Sequence, residues 1–160
     1  MHTISEQPVR VPPAAQVREE RPVCAPGHRL VRWVFPPAAA AVPEVRHLLR
    51  DVLRVWRVGP DVIDTLLLAV SELVSNAVTH AAPVTRRVRV AVGLDGVRVR
   101  LEVSDDHPFR PQVLVEAGED AESGRGLFII GRAVADADGD MCVLPLGLGK
   151  TIRVRVPAVA

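Results

Sequence analysis

The hydrophobic pattern divides the chain into short strands and three helices. Leu30, Arg32 and Val34 alternate with Val31, Trp33 and Phe35, giving a strand with two usable faces that Pro36-Pro37 closes. From Glu44 to Trp56, Val45, Leu48, Leu49, Val52, Leu53 and Trp56 recur at helical spacing, and Pro43 suits the first turn. Gly59-Pro60 ends that helix and opens another, which runs to about Ala81. Its stripe is Ile63, Leu66, Val70, Leu73, Val74, Ala77 and Ala81, and Pro83 closes it. Two alternating strands follow, one with Val88, Val90, Val92 and Leu94 on one face, the other with Val97, Val99, Leu101 and Val103. Asp95-Gly96 between them predicts a hairpin turn with both residues at positive φ. Gly126 to Asp136 reads as a third helix, with Leu127, Ile130, Ala133 and Val134 inward. Met141–Leu144 and Thr151–Val156 are the last strands, with Gly147-Leu148-Gly149 turning between them.

The stretch from Asp106 to Ser123 is polar and aperiodic, a long loop. Loops beyond about 12–15 residues in a compact domain are usually functional or disordered. Residues 1–27 are broken by Pro8, Pro12, Pro13, Pro22 and Pro26 and read as a flexible tail, leaving one domain over 28–160. The fold class expected is α+β: a two-layer sandwich with helices on one face of a mostly antiparallel mixed sheet.

Composition narrows the function. A hydrophobic content of 48% with a formal net charge of +1 argues against a wholly disordered chain or a strong nucleic-acid binder. The basic charge is nearly all arginine, because Lys150 is the single lysine. Cys24 and Cys142 form neither a disulfide framework nor a zinc spacing. No apolar run approaches the roughly 18 uninterrupted residues of a membrane span. The N-terminus lacks the layout of a signal peptide. The expectation is a cytoplasmic protein that contacts neither membrane nor nucleic acid directly.

Four features carry candidate chemistry. Glu72 and Asn76 lie one turn apart on the second helix, in one arc with Thr65 and Thr79. A carboxylate and a carboxamide so placed suit magnesium, which takes one or two protein oxygens plus phosphates; a solvated polar face is the plainer alternative. Asp105, in Val103-Ser104-Asp105-Asp106 at a strand end, can accept from an exocyclic amine or simply start a turn. Ser123-Gly124-Arg125-Gly126-Leu127 opens a helix with glycines that let a phosphate approach free N–H groups. Gly149-Lys150-Thr151 enters the last strand, without the glycine-rich lead-in and following helix of a Walker A loop.

Taken in order, these boxes resemble the GHKL ATPase superfamily of gyrase, histidine kinases and mismatch-repair ATPases, over roughly residues 28–157. The segment Ser71-Glu-Leu-Val-Ser-Asn-Ala-Val-Thr-His-Ala81 and the short chain look most like the anti-sigma-factor serine kinases, small actinobacterial regulators. The resemblance implies the Bergerat ATP-binding fold, with ATP and Mg2+ as cofactors. It implies Asn76 as magnesium ligand, Glu72 as general base, and Asp105 on the adenine amino group. Gly124 and Gly126, with the amides of Arg125 and Leu127, would hold phosphates. Thr151 would sit near the adenine, and residues from Phe109 to Ser123 would form a lid. The implied partners are a sigma factor and an anti-sigma antagonist, with pairing as homodimers. Two departures from the family pattern stand out. Asp105 is followed by Asp106-His107-Pro108 where a glycine is usual two residues on, and Glu122 replaces a basic residue before Ser123-Gly124. They keep open a catalytically silent, nucleotide-gated binding module that controls a transcription regulator.

Overall fold

The computed structural model describes residues 16–18, 27–81, 83–108 and 125–159. Six strands and three helices follow in the order β1 (Gln16–Arg18), β2 (Arg29–Phe35), α1 (Ala41–Val55), α2 (Pro60–His80), β3 (Val88–Leu94), β4 (Arg98–Asp105), α3 (Arg125–Asp136), β5 (Asp140–Leu146) and β6 (Gly149–Pro157). The strands form one sheet in the order β1-β2-β3-β4-β6-β5. The α+β expectation holds, with helices against one face of the sheet.

Two details differ from the sequence reading. Every strand pair among the described residues is antiparallel, where a mixed sheet was expected. The reason lies in the connections. Two antiparallel helices, α1 and α2, return the chain to the end of the sheet it left, so β3 runs against β2. A single helix, α3, carries β4 over to β5, and β6 then fills the gap between those two like-directed strands. The second difference is β1, which pairs Gln16–Arg18 with Arg32–Val34 inside the segment read as tail.

Alternation along the strands places the core. Trp33, Phe35, Val88, Val90, Val92, Val99, Leu101, Val103, Ile152, Val154 and Val156 point to the helices and are buried. α2 lies at the centre of the helical layer. Val62, Leu67 and Ala69 are buried beside the predicted stripe, because the sheet covers one side of α2 and α1 the other. By length and composition Pro60–His80 could cross a membrane, yet half of that stretch is buried inside this fold. Arg46 of α1 clasps α2 by donating from Nη1 to the Leu67 carbonyl (3.2 Å) and the Ser71 hydroxyl.

The β3–β4 turn departs from expectation in its dihedrals. Only Gly96 takes a positive φ, of 95°. Asp95 instead braces the turn, its Oδ1 accepting from the N–H of Val97 (2.9 Å) and Arg98 (2.7 Å). These N–H groups, Arg98 first, hold the Asp95 carboxyl below its ordinary value. A group whose folded pKa is depressed contributes stability above its unfolded pKa of about 3.9 and loses it as the pH falls through the folded value. The advantage of the native chain over Asp95→Asn, read as the urea midpoint, should therefore be full at pH 7 and shrink on acidification below about pH 4. An advantage that does not change with pH would contradict this account of the turn.

Candidate functional site

Glu72 and Asn76 sit half-buried on α2, with Leu73, Val74 and Ala77 beside them turned into the core. The packing of those apolar neighbours sets the rotation of the helix and so fixes where the two polar side chains emerge. Ser71, next to Glu72, accepts from Arg46 and donates to the Leu67 carbonyl, which ties this turn to α1. α3 begins directly against Glu72. A Cβ on Gly126 would stand 2.8 Å from Glu72 Oε2, closer than any side chain can sit without moving the carboxylate. The sheet and α2 thus bring Glu72 to the first turn of α3, whose leading N–H groups have no intrahelical acceptors. Glycine at 126 leaves that junction open.

A second cluster of predicted site residues lies at the end of β4. Asp105 is buried and registers opposite Lys150 of β6. Lys150 Nζ donates to Asp105 Oδ1 at 2.9 Å, with side-chain exposures of 11% and 7%. The His107 N–H donates to the same oxygen at 2.9 Å. The next residue is tied down on the other side, where the Asp106 N–H donates to buried Thr85 (3.0 Å) and its carboxylate meets Arg89 (3.1 Å). Gly149 is a contact of necessity. A Cβ there would lie 2.1 Å from the Asp105 carbonyl oxygen and 2.7 Å from Asp106 Cα.

The predicted residues fare differently. Glu72 and Gly126 are brought together, and Asn76 lies one turn along α2 on the same polar arc. Leu127 is 9% exposed and packs in the core, leaving only its backbone for a ligand. Arg125 is exposed at the start of α3. Gly124, Glu122 and the lid from Phe109 to Ser123 lie outside the described residues. Thr151 turns its side chain the other way from its neighbour Lys150. Its Oγ1 bonds Ser104 Oγ at 2.7 Å, on the helix-free face of the sheet and away from the Asp105 carboxylate. Strand alternation explains this, since Lys150 takes the inner position and Thr151 the outer. Sequence reasoning missed Arg46, Thr85 and Lys150. Only Lys150 left a signal, being the single lysine, one residue from a flagged position.

Among the described residues no group of three or more His, Cys, Asp or Glu could cage a metal ion. Magnesium usually takes only one or two oxygens from the protein and the rest from phosphates and water. The donor chemistry fits that arrangement: Asn76 offers a carboxamide oxygen one turn from Glu72, which stands at the glycine-opened start of α3. Comparison with known families settles the class. The model of the histidine kinase-like ATPase domain matches residues 35–143, more than half of the chain. The chain belongs to that family. The match runs from the end of β2 into β5 and contains Glu72, Asn76, Asp105 and Gly126. No curated protein matches the chain. Among solved structures, it is similar to the histidine kinase domain from Erythrobacter litoralis EL346 blue-light activated histidine kinase, with 18% identity and a TM-score of 0.48. That alignment covers 78% of this chain and 62% of that one, so the chain spans less than two thirds of its length.

Proposed function

We propose that this histidine kinase-like ATPase domain binds ATP with magnesium and transfers phosphate to a serine hydroxyl of a protein antagonist, as an anti-sigma-factor serine kinase does. The observation that carries the reading is the meeting of Glu72 with the start of α3 at Gly126. Asn76 would hold the metal, the amides around Gly124 and Gly126 the phosphates, and Asp105 the adenine amino group. Magnesium, when bound, neutralises charge on the transferred group. Glu72 acts as base: a carboxylate oxygen accepts the serine proton, and the clasp of Arg46 on the adjoining turn keeps it in place. The partners proposed are a sigma factor and its antagonist, with the domain pairing as a homodimer in the cytoplasm. Incubating the native chain with γ-labelled ATP and a cognate antagonist tests this. Label on the antagonist's serine is expected, and ATP binding without transfer would sink the kinase reading.

One observation favours a second reading, a silent nucleotide-gated module. Asp105 and Asp106 are held by Lys150, the His107 amide, Thr85 and Arg89, so this loop is tied to the sheet. On that reading Glu72→Gln leaves regulation in cells intact.

A further inference from the structure

Asp105 has a role in the site as set out above, but Lys150, buried against it, has none. We propose that Lys150 is a base-recognition residue that reads, together with Asp105, the edge of adenine at its 6-amino group. The inference rests on the nucleotide-binding reading of the same site and adds to it a residue and a hydrogen-bonding pattern.

Lys150 and Asp105 face each other across β6 and β4 on the inner side of the sheet. Their 2.9 Å separation puts a donor and an acceptor side by side. Adenine carries the complement: a 6-amino donor next to a ring nitrogen acceptor, the feature by which proteins read an extruded base. The two bonds to Asp105 from Lys150 and His107 both end on Oδ1, so neither uses Oδ2. An ammonium has three N–H donors, and one is engaged by Oδ1. The remaining valences of the pair thus offer a carboxylate oxygen for the amino group and an N–H for the ring nitrogen.

Charge decides whether the pair stays together when a base arrives. Both side chains are almost fully covered. A neutral amine that displaced Lys150 would strand an ammonium in a poorly hydrated place, a costly exchange. The base therefore adds to the pair and does not break it. Gly149 supports the geometry, because its missing Cβ lets β6 approach the Asp105 backbone and brings Lys150 level with the carboxylate.

The test removes the contact from each side. Titration calorimetry compares magnesium ATP with its 1-deaza and 7-deaza analogues, each lacking one ring nitrogen beside the amino group, and with purine riboside triphosphate, which lacks the amino group. The proteins are wild type, Lys150→Met and Lys150→Arg. Hydrogen bonds to charged groups predict that wild type binds one deaza analogue about tenfold or more weakly than ATP. That loss should vanish in Lys150→Met and persist in Lys150→Arg, while loss of the amino group weakens binding in all three. Lys150 is the single lysine, so amine acylation mapped by mass spectrometry gives a readout that needs no variant. ATP should protect Lys150. A deaza penalty unchanged in Lys150→Met, tighter ATP binding by that variant, or labelling that rises with ATP would overturn the proposal. Wild type that binds no ATP at all would instead overturn the nucleotide reading, and this proposal with it.

Discussion

Glu72→Gln is expected to lower phosphotransfer about 10²- to 10⁴-fold, the usual contribution of a positioned general base, while leaving ATP affinity within a few fold of wild type. The substitution keeps the shape of the side chain and removes only its ability to accept a proton. The site has the geometry to show that separation. Glu72 stands at the open start of α3, and its adjoining turn is held by Arg46 through Ser71 and Leu67. The helix should not move when the charge is lost. Single-turnover transfer and calorimetry on the same preparation give the two numbers. Equal loss of binding and transfer would mean that Glu72 holds the nucleotide or its metal and is not the base. Transfer undiminished in the variant would remove Glu72 from the chemistry.

Gly149→Ala should cost about 3 kcal/mol of stability or more, at or above the upper end for overpacking. The reason is the identity of the atoms in the way. A Cβ would meet the backbone carbonyl of Asp105 in β4 and the Cα of Asp106 just beyond it, neither of which can rotate aside as a side chain can. Relief requires β6 to separate from β4 at the place where Asp105 faces Lys150. ATP affinity should therefore fall along with stability. Gly126→Ala makes a useful contrast, because there the added methyl meets the mobile end of Glu72. Urea unfolding of both variants decides the matter. A loss below about 1 kcal/mol for Gly149→Ala would show that β6 tolerates the displacement.

Much of the fold was legible because strong periodicity coincides with burial. The apolar stripe of α2, the alternation of β3 and β4 from Val99 onward, and the apolar residues of α1 reach the core, whereas Val97, expected on the same face, lies in the turn before β4 and is exposed. Of the candidate site, an ordered set of residue types was legible, and within it Glu72 and Gly126 meet in the structure. What stayed hidden depends on register and on local geometry. Whether Lys150 or Thr151 faces the helices turns on one step along β6, and a one-residue step reverses the face. The helix ends show the same limit. α1 and α3 stop with Arg57 (φ 59°) and Asp138 (φ 53°) in left-handed conformation, where sequence reasoning looks for glycine. The bonds from the Val58 N–H to the Leu53 carbonyl and from the Gly139 N–H to the Val134 carbonyl close those ends. The clasp of Arg46 on α2 is likewise a tertiary contact that leaves no pattern in the chain.

The central claim, nucleotide binding by the α2 face and the end of β4, is tested most directly by calorimetric titration of the native chain with magnesium ATP, repeated on Asn76→Ala and Asp105→Ala. Saturable binding by the native chain that is lost in both folded variants is the predicted result. No binding by the native chain, or binding undiminished in either variant, would contradict it.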